Sequence, residues 1–277
     1  MRAWIGALTL VAASSVLAAC TSTADEPAPA PTSPAPTAEA STTLAAEGID
    51  WPRAGSPLPV AEPPAAPDGF GAALVSRMAD VLTTWAGATT VDPDVWHVET
   101  PVDAVADALP PAVGAALTRQ TADAVSPGLA VANVFGDDVE VIGEPAVTTA
   151  WRVTIKDDDA GQQYVVVQLQ TRAAYEVRLG DDGPTRVVGV LRVHGLSAYP
   201  GTEDDFGVTT GWQEFGAGDC ALAVDDALVP DNDLDKAAAD LATFVDVGDQ
   251  PDVRMPALDD EEKVDDAYRD RCRDGTT

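Results

Sequence analysis

The sequence predicts an α+β protein, with N-terminal helices packed on a curved antiparallel β-sheet and a disordered tether in front. Three observations point there. Apolar residues recur at helical spacing from 68 to about 125, the period changes to two from 139 onward, and residues 20–67 follow neither period. In the tether, Pro27 to Pro36 alternates proline with Ala, Thr and Ser, a composition that favours extended backbone and buries no core.

Phe70, Leu74, Met78, Val81, Leu82 and Trp85 form one stripe of a helix over 68–87, with Asp68 placed to cap it. A second helix starts at Thr100-Pro101, with threonine as N-cap, proline in the first position and Asp103 in the first turn. Pro110-Pro111 ends it and opens a third, running through Val113 and Leu117 to about 125. A turn at Ser126-Pro127-Gly128 follows.

Strand periodicity then takes over. Trp151, Val153 and Ile155 alternate with Arg152 and Thr154. Past a turn over 157–162, Val165, Val167, Leu169, Thr171, Ala173, Tyr175 and Val177 share one strand face. Past a second turn, over 180–184, come Val187, Gly189, Leu191 and Val193. These runs read as an antiparallel meander, and matching their apolar faces sets Val177 opposite Val187 and Ala173 opposite Leu191. A short strand over 212–215, a helix over 234–245 capped by Asp233 and a charge-rich helix over 258–273 complete the chain.

The N-terminus carries one positive charge, Arg2, then an apolar run from Trp4 to Val16, then Leu17-Ala18-Ala19-Cys20. The run is too short to span a bilayer with margin and has the order of an export signal. Its end resembles the lipobox of bacterial lipoproteins of the actinobacterial type. That resemblance implies cleavage before Cys20, acylation of its thiol with palmitate-type chains and tethering to the extracytoplasmic face of the cell membrane, where two acyl chains hold stably. The chain then divides into a signal peptide over 1–19, the lipidated cysteine and tether over 20–67, a globular domain over 68–246 and an acidic C-terminal segment over 247–277.

A formal net charge of −30 argues against nucleic acid or an anionic lipid surface as partner. With Cys20 assigned to lipid, Cys220 and Cys272 remain, and an oxidising compartment favours their pairing over two buried free thiols. His97 and His194 show no ligand spacing with either cysteine, so no metal site is expected. The chain has no Gly-x-Ser-x-Gly and no glycine-rich phosphate loop. Ser197 near His194 lacks the partners of a triad. No catalytic residue and no cofactor are assigned. Asp231-Asn232-Asp233-Leu234-Asp235 alternates oxygen donors as calcium loops do, but Lys236 and Ala242 stand where such a loop needs glycine and glutamate. A helix-capping turn accounts for it better.

The candidate site is the other face of the meander. In the register above, Arg152, Gln168, Gln170, Arg172, Glu176, Arg178, Arg186, Arg192 and His194 all point away from the apolar face, with Arg172 opposite Arg192. Like charges opposed across strands destabilise unless answered. The face is therefore either a docking surface for an anionic ligand or acidic partner, or it is neutralised by Glu176 and the acidic helix over 259–266.

Helices followed by a long meander resemble the NTF2-like cone, with a cystatin-like sheet on a helix as the alternative. The cone would place Trp151, Tyr175 and His194 near a pocket mouth. The expected function is a non-enzymatic binding or assembly module on a stalk, contacting an envelope protein or a second copy. The alternative is a small-ligand-binding or hydrolytic envelope protein that uses the pocket.

Overall fold

Both faces of one sheet are apolar, and the chain covers both. The computed structural model describes residues 43–122, 124, 126–202, 205–246, 269, 270 and 272. Six helices come first: α1 (Thr43–Ala46), α2 (Ala72–Thr90), α3 (Pro93–Trp96), α4 (Pro101–Asp107), α5 (Pro111–Thr121) and α6 (Pro127–Val131). The strands follow as β1 (Val139–Val141), β2 (Ala146–Asp157), β3 (Gln163–Leu179), β4 (Thr185–Ala198) and β5 (Gly207–Phe215). Two helices, α7 (Asp219–Asp225) and α8 (Leu234–Asp246), close the described order.

The sheet runs β1-β3-β4-β5, with β2 beside β1 on the same edge of β3, and every ladder is antiparallel. On one face α2 buries Leu74, Met78, Leu82 and Trp85 in a cluster with Leu169, Ala173 and Tyr175 of β3 and Val188, Val190 and Leu196 of β4. The second face carries a smaller cluster: Leu44 and Ile49 from the N-terminal segment, Ala174, Val187 and Leu191 from the sheet, and Leu241 and Phe244 from α8. Gly189 gives α8 its seat, since a Cβ there would lie 2.7 Å from the Phe244 ring.

Several expectations need correction. The sheet is neither closed nor strongly curled, which overturns both the NTF2-like cone and the cystatin-like alternative; the α+β class and the meander stand. The register of β3 with β4 is one residue away from the expected one. Val177 faces Arg186, Ala173 faces Val190 and Arg172 faces Leu191. The cause is physical: β4 is buried on both faces, so its apolar residues do not alternate and cannot report which side faces the helices.

The tether also ends earlier than 67. Leu44, Ile49, Ala54 and Leu58 are all buried, and Arg53 bridges to Ala146. The proline-rich residues before 43 lie outside the described residues, as do the signal segment, Cys20 and nearly all of the expected 258–273 helix. Helix α2 starts at Ala72, with Gly71 rather than Asp68 at its N-cap. Ser126-Pro127-Gly128 opens a short helix instead of making only a turn, because Asp226 supplies acceptors for its first amides.

Candidate functional site

Register decides where the expected docking residues go. Arg192 lies opposite Thr171 and His194 opposite Leu169, so both enter the helix-covered face, away from Arg172 and Gln170. Both are fully buried. Arg192 Nε donates to Asn133 Oδ1 at 2.5 Å, and Nη2 donates to Leu129 O at 2.7 Å and to Ala132 O. These acceptors stand at the C-terminal end of α6, where a cation answers the orphan carbonyls. At the other end of α6 the Asp226 carboxylate accepts from Gly128 N at 2.6 Å and Leu129 N at 3.0 Å. Burial pulls the Arg192 pKa down to about 9, against the pull of Tyr175 and Asp226.

Tyr175 completes the network. Its hydroxyl donates to Thr90 O at 2.7 Å and accepts from Asn133 Nδ2 at 2.6 Å, and burial raises its pKa well above that of a free phenol. His194 Nε2 lies 3.2 Å from Thr89 Oγ1, and its ring centroid is 4.6 Å from that of Trp85. Burial, reinforced by Arg192, holds the imidazole pKa well below its ordinary value, so it is neutral at pH 7. These side chains bind the helices to the sheet and open on no pocket mouth.

A pH dependence follows from His194. Its folded pKa lies below 6.5 while the unfolded chain titrates near that value, so stability is full above it and is lost as pH falls. The histidine contribution has a slope of about 1.4 kcal/mol per pH unit below pH 6.5. Urea unfolding at pH 7.5, 6.5 and 5.5 is expected to show that slope in excess over His194→Gln. Parallel curves for the two proteins would refute it.

The second face is answered from within. Glu176 accepts from Arg53 Nη2 at 2.5 Å and from Leu44 N at 3.4 Å, and the Arg172 guanidinium sits 4.9 Å from the Trp51 ring centroid. Gln170 is buried beside them, while Arg152 and Gln168 pair across β2 and β3. Arg178 pairs with Glu140, and Arg186 Nη1 donates to Asp231 O at 3.0 Å. The eight expected docking residues therefore do not share a face. Trp151 is half-buried with its Nε1 donating to Ala61 O at 3.1 Å, whereas Tyr175 is deep in the core.

The acidic turn caps α8 as expected. Asp233 Oδ1 accepts from the amides of Asp235 and Lys236, both at 3.1 Å. Lys236 Nζ stands 3.0 Å from Asp231 and 3.1 Å from Asp240, so an ammonium occupies the centre of that carboxylate group. Among the described residues no group of three or more His, Cys, Asp or Glu is placed to hold a metal ion.

The open surface of interest lies elsewhere. Cys220, on α7, is disulfide-bonded to Cys272 with Cα atoms 5.2 Å apart, as expected. Beside this bond runs a groove of about 1100 Å3. Phe135, Val139, Leu179 and Val229 supply apolar lining, and Glu99, Asp137, Asp138 and Asp225 supply exposed carboxylates. The walls are fixed by a parallel bridge between Phe135 and Leu228, by Gly136 N donating to Leu228 O at 3.1 Å and by Gly180 N donating to Asp138 O at 2.9 Å. A smaller hollow of about 540 Å3 adjoins it, sharing His97, Asp137, Asp138 and Val139.

Comparison with known proteins yields no match, whether to a family model, a curated protein or a solved structure. Sequence reasoning reaches Cys220, Cys272 and His97 among the groove residues, but not its acidic rim. Leu179 before a glycine turn and the pair Asp137-Asp138 were the local signals. Nothing in either foretold the Phe135–Leu228 bridge that joins distant segments.

Proposed function

We propose that the protein is a lipid-anchored module of the extracytoplasmic membrane face that binds or assembles partners without catalysing a reaction. The observation that carries the anchor is the order Arg2, apolar run, Leu17-Ala18-Ala19-Cys20. The Cys220–Cys272 disulfide supports an oxidising, exported location. The binding role draws support from how the reactive side chains are used. His194, Arg192 and Tyr175 are committed to the core, while the open groove offers apolar and carboxylate contacts.

No described helix is long and apolar enough to cross a membrane; attachment is assigned to the acylated cysteine on the order Leu17-Ala18-Ala19-Cys20. Metabolic labelling with an alkyne palmitate analogue is the test. Wild-type protein is expected to take up label and partition into detergent, and Cys20→Ser to do neither. Unlabelled wild-type protein released to the medium would remove the anchor from this reading. A small-ligand binder is the second reading, favoured by the mix of apolar lining and polar groups in the groove, whose volume of about 1100 Å3 lies just above the usual range of ligand pockets.

A further inference from the structure

Resting on the binding-module reading, we infer that the groove beside the disulfide seats a basic peptide segment of an extracytoplasmic partner, with an apolar side chain on its floor and Lys or Arg side chains against its rim. Charge carries the choice of occupant. Glu99, Asp137, Asp138 and Asp225 converge from three separate stretches of chain, and among the described lining residues of the two hollows there is no Lys or Arg. Low-dielectric walls focus the field of such carboxylates into the groove and concentrate cations there.

Several of the described cations answer other partners. Arg53 holds Glu176, Arg178 holds Glu140, Lys236 holds Asp231 and Asp240, and Arg192 is buried. A second copy of a chain with net charge −30 would bring mainly further negative charge, which argues against self-association at this face.

Shape carries the choice of a peptide over a small cation. The two hollows share four lining residues and form one trough, and the larger alone, at about 1100 Å3, already matches or exceeds drug-sized pockets. Leu179 at the end of β3 is 37% exposed, a large apolar side chain left open between acidic neighbours. An apolar residue flanked by basic ones satisfies both features. It covers Leu179 and relieves the like-charge repulsion along the rim.

Fluorescence anisotropy tests this with the mature lipidated protein in neutral detergent micelles. The probe is a fluorescein-labelled octapeptide, Gly-Ser-Lys-Leu-Phe-Lys-Ser-Gly. Binding is expected to weaken about fivefold in Asp137→Asn/Asp138→Asn, the effect of losing two exposed ion pairs, and by a similar factor in Leu179→Ser. The control, Asp157→Asn/Asp159→Asn, removes the same charge from the exposed β2–β3 turn and is expected to leave binding unchanged.

Three results would each overturn the inference. These are no binding by the wild type, equal weakening in the control, and equal binding of a probe with glutamine in place of lysine. In-cell crosslinking separates this failure from that of the wider reading. An envelope protein captured equally by wild type and Asp137→Asn/Asp138→Asn would keep the module and remove the groove as its docking site.

Discussion

Asn133→Leu is expected to destabilise the fold by about 3 kcal/mol, chiefly through the polar contacts it removes. Asn133 is fully buried, accepts from Arg192 Nε at 2.5 Å and donates to the Tyr175 hydroxyl at 2.6 Å. Leucine keeps the branched outline and heavy-atom count and removes both contacts. Arg192 Nη1 already has no partner, so the substitution leaves a buried guanidinium with a second donor unmet. Hydrogen bonds to charged groups are worth about 1.5–3 kcal/mol, and a buried charge that loses its partner costs more than a neutral group does.

The sign of the coupling is the sharper test. Arg192→Met alone orphans the Leu129 and Ala132 carbonyls but removes the buried charge. The double variant Asn133→Leu/Arg192→Met is therefore expected to be less unstable than the sum of the single changes, by about 1.5 kcal/mol or more. Urea unfolding of the four proteins gives that number directly. Additive losses would mean that Asn133 does not hold Arg192 in solution.

How far the sequence spoke can be read from this same network. Helical stripes, the meander, the α8 cap and the cysteine pairing were all legible, because each rests on local periodicity or on elimination among a few residues. The β3–β4 register was not. A one-residue shift moves every side chain to the other face, and β4 carries apolar residues toward both, such as Val187 and Leu191 on one side and Val188 and Val190 on the other. Matching the apolar faces therefore chose the wrong one of two nearly equal registers. Arg192 and His194 were grouped with Arg172 as solvent-facing, whereas Arg192 sits under α6 and His194 against Trp85. A buried arginine whose acceptors are backbone carbonyls leaves no carboxylate partner in the sequence to reveal it.

The second face was hidden for a different reason. Residues 43–58 have neither helical nor strand period, yet Leu44, Ile49, Ala54 and Leu58 are buried, and Arg53 and Trp51 meet Glu176 and Arg172. Single anchors spaced along an irregular segment carry no periodic signal. The consequence for function is direct. The sheet face expected to await an anionic partner is closed by the chain itself, and the groove inherits the role of the open surface.

Removing the disulfide is expected to have the other large effect. The bond links residues 52 apart in sequence, and in the chain-entropy model its loss costs about 4 kcal/mol by freeing the unfolded chain. The native side of the balance changes little. Helix α7 contributes no fully buried residue, and only its Leu222 packs partly against the core. For a domain of this size each kcal/mol moves Tm by about 2–4 °C, which gives a fall of about 10 °C for Cys220→Ser/Cys272→Ser or for wild type under dithiothreitol. If the unfolded state is what changes, the urea m-value rises as that state expands, and the near-UV circular dichroism of the native protein stays as it was. A fall in Tm with unchanged m and an altered native spectrum would place the effect in the folded state instead. The peptide-binding assay then discriminates further, because Cys220 and Cys272 both line the groove. Binding that survives reduction below the lowered Tm would show that the groove is shaped by the Phe135–Leu228 bridge and the hydrogen bonds around it, and only closed off in the unfolded ensemble by the disulfide.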